Sequence, residues 1–270
     1  MVVQHNLTAM NTNRQLGVTT SAQAKSTEKL SSGYKINRAG DDAAGLTISE
    51  KMRSQVRGLN KASENAQNGV SLVQTAEGAL NEAHSILQRM NEISTQAAND
   101  TNTTSDRTAI KSEIDQLSTE LSRIASTTQF NTMDLLDGTF SGKNLQVGSL
   151  CGQAITISIS GMDASELGVS ALEVSDFDSA GAAMCSIQAA ISKVSAQRST
   201  LGAIQNRLEY TVNNLNTTSE NTSSAESLIR DTDMATEMVN YSKYNILAQA
   251  GQSMLAQANS SNQGVLSLLQ

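Results

Sequence analysis

The chain has 270 residues, with 19 basic and 26 acidic side chains, a net charge of -7, no proline and only 3% aromatic residues. The acidic balance argues against nucleic acid as the main partner, because phosphate binding depends on lysine and arginine, and no apolar run approaches the ~20 residues that span a bilayer. The absence of proline predicts long uninterrupted helices, and the scarcity of large apolar side chains favours thin helix–helix contacts over a thick core.

The first segment of the chain, residues 3–30, carries apolar residues at helical spacing with little charge, namely Val3, Leu7, Met10 and Val18. No charged region followed by an apolar one opens the chain, so we expect no cleavable secretory signal. The pattern is too weakly apolar for a stable isolated helix. A fraying tail is therefore one interpretation, and pairing with another part of the chain is the other.

A glycine-bearing stretch follows this segment. Gly33, Gly40 and Gly45 permit backbone turns there. Asp41 and Asp42 place negative charge where the next helix would begin, which favours its N-terminus. An acidic surface loop is the plainer interpretation. We expect a connector, because the stretch lies directly before a long helical pattern.

Three heptad patterns dominate the rest of the chain. The first alternates in steps of three and four without a slip: Leu59, Ala62, Ala66, Gly69, Val73, Ala76, Leu80, Ala83, Leu87 and Met90. After a polar break over residues 99–106, where Asp106 or Ser105 could cap a helix, the second runs through Ile110, Ile114, Leu117, Leu121 and Ile124. The third runs through Ile187, Ile191, Val194, Leu201, Leu208, Val212 and Leu215. Narrow seams of this kind predict a mostly α fold, an elongated coiled-coil-like helical bundle forming a rod.

Between the second and third patterns the chain is rich in glycine. Residues 154–160 alternate apolar and polar side chains, which predicts a half-exposed strand, and residues 145–147 could be its hairpin partner. This is the only convincing β signal. We expect a small β-hairpin region that caps the far end of the rod.

The last segment, residues 231–269, has a second weak apolar stripe: Met234, Met238, Tyr241, Ile246, Leu247, Ala250, Met254, Leu255 and then Val265, Leu266, Leu268 and Leu269. It is too apolar to remain bare in water. We expect the two ends of the chain to pair with each other and to pack into something larger. Asp231 and Asp233 are expected to open the last helix rather than to do acid–base chemistry.

The sequence offers no catalytic or metal-binding pattern. His5 and His84 are the only histidines, and no His-Glu-x-x-His motif, serine elbow or glycine-rich phosphate cradle occurs. We therefore predict no enzyme activity, no cofactor and no metal. Asn6-Leu-Thr8 and Asn216-Thr-Thr218 match the N-glycosylation pattern, but such matches arise by chance in a chain this rich in Ser, Thr and Asn.

Several motifs in order resemble bacterial flagellin. At the N-terminal end they are Lys29-Leu-Ser-Ser-Gly33, Ile36-Asn37, Asp41-Asp-Ala-Ala-Gly-Leu46, Asn68-Gly69, Gln74-Thr-Ala-Glu-Gly-Ala-Leu-Asn81, Leu87-Gln-Arg89 and Thr128-Gln-Phe-Asn131. At the other end they are Ala248-Gln-Ala, Ala256-Gln-Ala-Asn259 and Val265-Leu-Ser-Leu-Leu269. The likeness covers roughly residues 1–140 and 183–270. It is that of a near-minimal flagellin lacking large variable outer domains.

The resemblance implies a subunit that self-assembles into the flagellar filament for motility, secreted unfolded and located in the extracellular filament. It implies an inner layer from residues 1–43 and 230–270, N-terminal rod helices with the β-bearing cap over 44–182, and a C-terminal rod helix over 183–229. Implied partners are further copies of the chain, an export chaperone, and the filament cap and hook–filament junction proteins. We expect no nucleic acid partner and no membrane insertion.

The resemblance also assigns residue roles. The expected polymerisation residues are Leu7, Met10, Met238, Leu247, Met254, Leu255, Leu266, Leu268 and Leu269, and the expected connector residues are Gly40, Asp41, Asp42 and Gly45. Flagellin monomers are ligands of Toll-like receptor five, and the matching positions here are Gln88, Arg89, Ile93, Gln96 and Glu113. Lateral contact between protomers is the alternative role for Arg89 and Glu113.

Cys151 and Cys185 are unusual for this family. Because a disulfide would obstruct export of an unfolded chain through a narrow channel, we expect free thiols buried as small apolar groups, with a bridge formed after assembly as the alternative. Three rival functions are the hook–filament junction protein, a non-flagellar coiled-coil signalling protein, and a membrane-inserting translocator. The last would need an apolar segment that the sequence lacks.

Overall fold

The computed structural model describes residues 6–267, with side chains up to residue 261. The elements in chain order are α1 Leu7–Ser32, α2 Ala43–Ala97, α3 Thr104–Thr127, β1 Gln129–Phe130, β2 Met133–Asp134, β3 Lys143–Gln146, β4 Ala154–Ile157, α4 Ala164–Leu167, α5 Phe177–Arg230 and α6 Met234–Ser267. The predicted fold class, mostly helical with a small β region in the middle, is confirmed. Within residues 6–267, no helix is long and apolar enough to cross a bilayer.

The chain divides into two compact units. The terminal unit consists of the chain up to Ser54 and from Asn221 onwards, and the central unit runs from Gln55 to Glu220. In the terminal unit α1 packs against α6, which confirms that the two terminal helices pair. The sequence-derived boundaries at residues 43, 182 and 229 remain a prediction.

The core of the central unit is built from the predicted seams. All ten residues of the first heptad pattern, from Leu59 to Met90, are buried. Seven of them join the buried residues of α3, of the middle segment and of α5 in one main apolar cluster, namely Ala66, Val73, Ala76, Leu80, Ala83, Leu87 and Met90. A smaller cluster consists of Leu59, Ala62 and Leu215. Fully burying a leucine is worth about 1.5–3 kcal/mol, so the larger side chains of the seams, such as Leu80, Leu87 and Leu208, stabilise this unit most.

The glycine-rich middle segment lies along the helices of the central unit, and the prediction of an end cap was wrong. The Asn65 amide donates to the carbonyl of Gln146 at 3.2 Å, the Ser118 hydroxyl to that of Val169 at 3.3 Å, and the Lys193 ammonium to that of Glu166 at 3.0 Å. The segment packs lengthwise because its own apolar side chains, among them Leu135, Ile157 and Val169, are buried in the same cluster.

The predicted hairpin is present as β3 paired antiparallel with β4, with Leu145 opposite Ile155. A second antiparallel pair, β1 with β2, was missed. Its strands have two residues each, too few to show alternation. Asn131 and Thr132 form the turn with positive φ values of 49° and 62°, the left-handed conformation that two-residue hairpin turns require.

The polar break between α2 and α3 is confirmed, although the capping residue differs from the prediction. Thr103 is the N-cap of α3: its hydroxyl accepts from the backbone N–H of Asp106, and the Asp106 carboxylate accepts from the N–H of Thr103. Asp106 is thus the third helical residue of a capping box, not the cap itself. These hydrogen bonds to Thr103, side chain and backbone, hold the pKa of Asp106 below its ordinary value.

Candidate functional site

The candidate functional site is the exposed apolar surface of the terminal unit. Among the described residues of this unit, Ile36 and Ala248 are the only buried apolar side chains. The large apolar side chains of α1 and α6 that face water instead are Leu7, Met10, Val18, Met234, Met238, Val239, Ile246, Leu247 and Met254. An exposed apolar patch of this kind on a monomer marks a surface for association with another molecule. The terminal unit has almost no apolar core of its own, so we expect its apolar side chains to be buried by other chains.

The expected polymerisation residues fall on this surface as follows. Leu7 and Met10 of α1 are 67% and 65% exposed. Met238, Leu247 and Met254 of α6 are exposed as well, and Leu255 is half-buried. The side chain of Leu266, and the residues Leu268 and Leu269, lie outside the described residues. Val239 and Ile246 were left out of the expected set, although Ile246 is at helical spacing from other members.

The contact between α1 and α6 is narrow. Leu16 packs against the backbone of Gly251, where an added Cβ would lie 3.3 Å from a Leu16 methyl carbon. At the far end, the Asn6 amide donates to the carbonyl of Ala258 at 3.0 Å. A groove of about 460 Å³ runs beside Leu16, Leu247 and Met254. The pair thus buries little, and most of its apolar surface remains free for other chains.

The connector residues organise the N-terminus of α2. Asp42 lies directly before α2 and caps it: its carboxylate accepts from the backbone N–H of Gly45, the third residue of the helix, at 2.9 Å. The Asp41 carboxylate accepts from the N–H groups of Arg38 and Asn37, and these hydrogen bonds hold the pKa of Asp41 below its ordinary value. Negative charge at this helix start agrees with the expected dipole complementarity.

The glycines of the connector differ in their roles. Gly33 has a φ of 75° and ends α1 in the left-handed conformation. Gly45 is not a turn residue, contrary to expectation. It lies in the first turn of α2, where a Cβ would collide with the Asp42 carboxylate and approach the Ile36 side chain to 2.8 Å. Gly40 shows neither a positive φ nor a neighbour near its missing Cβ.

The expected receptor-binding residues lie on α2 and α3. The side chains of Gln88, Arg89, Gln96 and Glu113 are exposed. The Arg89 guanidinium donates to Glu113 through Nε at 3.1 Å and through a terminal nitrogen at 2.9 Å, and to Glu92 at 3.3 Å. These pairings, to Glu113 first, raise the pKa of Arg89. Ile93 is separated from them: it is 2% exposed and belongs to the core.

Several polar side chains have structural roles. Asp233 caps α6, because its carboxylate accepts from the N–H groups of Ala235 and Thr236, as predicted. Hydrogen bonds from Thr236, chiefly from its hydroxyl and to a lesser extent from its backbone N–H, hold the pKa of Asp233 below its ordinary value. Asn6 caps α1, and Asn216 accepts from the Ser63 hydroxyl at 2.9 Å. Both asparagines of the glycosylation-like motifs therefore have hydrogen-bond partners.

Both cysteines are free thiols, and the prediction that they are buried was wrong. Cys151 lies in the loop between β3 and β4, and Cys185 lies on α5; both are exposed. On α5, Ala183 and Ile187 face the core, so helical geometry turns the residue between them towards solvent. Cys151 is exposed because it is at the tip of a hairpin loop.

A cluster that sequence reasoning missed joins the ends of α1 and α5. The Arg230 guanidinium lies over the Tyr34 ring, 4.7 Å from its centroid, and donates to the Glu50 carboxylate at 2.8 Å. These residues have no motif spacing, since Tyr34 and Arg230 lie at opposite ends of the sequence. The one available hint was that each falls at the end of a predicted helix.

Comparisons with known proteins agree with this architecture. The family model for the bacterial flagellin N-terminal helical region matches residues 3–141, and the one for the C-terminal helical region matches residues 184–269. A flagellin from Halalkalibacterium halodurans is 52% identical over 271 residues, covering 100% of both chains. The flagellar filament 31.3 kDa core protein of Treponema maltophilum is 49% identical over 286 residues, again covering 100% of both. The crystal structure of Bacillus cereus flagellin, 31% identical, covers 56% of this chain and 88% of that chain with a TM-score of 0.52.

Proposed function

Because the chain belongs to the bacterial flagellin family, we propose that it is the repeating subunit of a flagellar filament. The observation that carries this function is the terminal unit, in which α1 and α6 pair while their large apolar side chains stay exposed. Contacts between different surfaces of identical subunits do not close on themselves and generate an open helical polymer. Burial of this surface against neighbouring copies would stabilise the terminal helices by mass action.

The finer description follows the family. Residues 1–43 and 230–270 would form the inner layer of the filament, with residues 44–182 and 183–229 outside it. The chain would leave the cell unfolded with the help of an export chaperone, and would assemble beneath a filament cap on hook–filament junction proteins. Two free cysteines are compatible with export of an unfolded chain, because no bridge has to be opened first. The filament itself would be extracellular.

The test of the filament function compares the full chain with a variant that lacks residues 231–270. With sheared filament seeds, the full chain is expected to grow long tubes in electron micrographs. The truncated chain should stay monomeric, because six of the nine exposed large apolar side chains of α1 and α6 are gone. Circular dichroism should still report a helical central unit. Unchanged growth of the truncated chain would refute the role of α6. A full chain that remains monomeric under seeding would favour the hook–filament junction alternative.

A second role, as a ligand of Toll-like receptor five in the monomeric state, is proposed for the α2–α3 surface. Gln88, Arg89 and Glu113 are exposed on adjacent helices, and a guanidinium on a helical face can both stack and donate several hydrogen bonds. Ile93 would support this surface from within the core rather than touch a receptor. Contact between protomers in the filament is compatible with it, since assembly would cover the same residues.

The receptor role is tested with Arg89→Ala. Removing a central arginine from a contact surface is expected to weaken receptor binding by roughly tenfold or more. Arg123→Ala is the matched control, because Arg123 also forms an exposed ion pair three residues away on its own helix, with Glu120. Surface ion pairs of this kind contribute little to stability, so both variants should unfold like the parent. Equal receptor affinity of Arg89→Ala and the parent would count against this site.

A further inference from the structure

The segment that leads into α5 lies against α3 in the central unit. We call residues 169–175, which connect α4 to α5, the strap. Three of its side chains are buried in the main apolar cluster, namely Val169, Leu172 and Val174. Within residues 6–261, no hydrogen bond joins residues 173–175 to another backbone group. Neither a helix nor a sheet therefore fixes this part of the strap.

Side chains of α3 take the place of a neighbouring strand. Three of them donate to carbonyl groups along the strap in antiparallel order: Ser118 to Val169 at 3.3 Å, Lys111 to Leu172 at 3.3 Å and Arg107 to Ser175 at 3.0 Å. From residue 107 to residue 118 a helix rises about 16 Å, and an extended chain covers about 20 Å from residue 169 to residue 175. Donors and acceptors can therefore stay opposite each other along the strap.

Arg107 joins the strap to a third part of the central unit. Its guanidinium also donates to the carbonyl of Asn99 at 3.5 Å and to the carboxylate of Asp100 at 3.0 Å, both in the loop between α2 and α3. The side chain is only 14% exposed. A guanidinium suits this position because its several donors serve acceptors of separate segments at once, whereas an ammonium is a point charge. Arg107 thus ties the strap and the α2–α3 loop to α3.

Lys111 lies one turn further along α3 and holds the middle of the strap. Its ammonium pairs with the carboxylate of Asp115 at 3.2 Å and with that of Glu173 on the strap at 3.5 Å. A cavity of about 100 Å³ lies between Arg107, Lys111 and Ser175. The strap is therefore not fully packed against α3 here, and polar contacts have to hold it in place.

We propose that Arg107 and Lys111 are positioning residues that hold the strap closed over α3, and that the strap opens locally, with the helices still packed, when these contacts are lost. Opening would expose Leu172, Val174 and the part of the apolar cluster that they cover. An exposed apolar surface of this kind associates with other molecules. The closed strap thereby keeps this part of the core from becoming a further surface for association.

Labelling of a buried thiol measures the opening of the strap. In a background with Cys151→Ser and Cys185→Ser, Val174→Cys places a thiol on the strap and Val194→Cys places one in α5; both positions are buried. A thiol reagent such as DTNB reacts only with an opened form, so the labelling rate of dilute protein follows the population of that form when closing is fast. The dependence of each rate on urea shows how much surface the opening exposes.

In the parent, Val174→Cys is expected to be labelled faster than Val194→Cys and with a weaker dependence on urea, because the strap opens while the helices stay packed. Arg107→Gln should raise the labelling rate of Val174→Cys by roughly tenfold or more, the scale of hydrogen bonds made by a charged group. Lys111→Met should raise it by roughly two- to fivefold, since ion pairs with exposed carboxylates contribute less.

Arg198→Gln is the matched control. Arg198 of α5 pairs with Glu77 of α2 at 3.7 Å, a contact that stays intact when the strap opens, so its loss should leave the labelling rate at position 174 unchanged. Circular dichroism verifies the folding of each variant. If Arg107→Gln does not fold, Arg107→Lys keeps the charge with fewer donors and should still raise the rate at position 174.

Two results would overturn the proposal. The first is an equal rate and an equal urea dependence at positions 174 and 194 in the parent, because the strap would then open only when the central unit unfolds. The second is an unchanged rate at position 174 in the folded variants of Arg107 and in Lys111→Met, because these side chains would then not hold the strap.

Discussion

Single polar side chains begin most helices of this protein. Asn6, Asp42, Thr103, Asp163 and Asp233 each accept a hydrogen bond from a backbone N–H in the first turn that follows. The first N–H groups of a helix have no partner within it, so each cap satisfies a group that would otherwise have only water. In a chain without proline, these caps, rather than prolines, define where helices begin.

The cap of α3 gives a prediction at this scale. Thr103→Ala removes the hydroxyl that accepts from the Asp106 N–H and is expected to lower the free energy of unfolding by about 1 kcal/mol, as measured by urea denaturation with circular dichroism. Thr101→Ala, an exposed substitution in the same loop that leaves the cap intact, should unfold at the same urea concentration as the parent. If both substitutions were equally mild, the capping box would not stabilise α3 measurably.

At the scale of elements, small residues on α2 allow the middle segment to pack closely against this helix. Gly58 lies beneath the loop between β3 and β4, and Gly69 lies beneath Leu145 and Leu208. Two hydrogen bonds of the same kind link α2 to α5 nearby: the Ser63 hydroxyl donates to Asn216 and the Ser219 hydroxyl donates to Asn60. The helices can therefore approach closely at this end of the central unit, because small and hydrogen-bonded side chains replace bulky ones.

Two glycines of α2 make an opposed pair of substitutions. Gly78 has nothing within 4 Å of its missing Cβ, so Gly78→Ala should raise the free energy of unfolding by about 0.5–1 kcal/mol through the better helix propensity of alanine. Gly58→Ala offers the same gain, but its Cβ would lie 2.7 Å from the Ser149 Cβ and 3.2 Å from the Ser149 Cα. The loop would have to move.

We therefore expect Gly58→Ala to be less stable than the parent in the same urea titration that finds Gly78→Ala more stable. A matching gain at both positions would show that the loop does not rest on α2 as the structure has it. Each substitution is the control for the other, since both replace a glycine of α2 by alanine and differ only in what surrounds the new methyl group.

At the scale of the whole molecule, the two units differ in charge and in core. Acidic residues outnumber basic ones nearly two to one in the central unit, whereas the terminal unit carries nearly equal numbers of each. The central unit holds the main apolar cluster, and the terminal unit buries almost no apolar side chain of its own. A unit with little net charge and exposed apolar residues is suited to close association with copies of itself, which is what a filament subunit requires.

The sequence by itself determined the long helices, their core-facing seams, the polar break before α3 and the β3–β4 pairing. Local periods in the sequence predict these features: heptad steps over ten positions of α2, and strict alternation of apolar and polar residues over 155–160. A period specifies which side of an element is apolar, and in these elements of the central unit that side is the buried one. The motifs shared with flagellins likewise identified the family, because they are ordered along the chain.

Only the tertiary structure decided which distant residues meet. Tyr34 and Arg230 meet across most of the sequence, Arg89 pairs with Glu113 of another helix, and Ile93, expected at a receptor surface, is in the core. Cysteines expected to be buried are exposed. The physical reason is common to all four: a side chain's partners and exposure depend on how separate elements pack, and no local period records that packing.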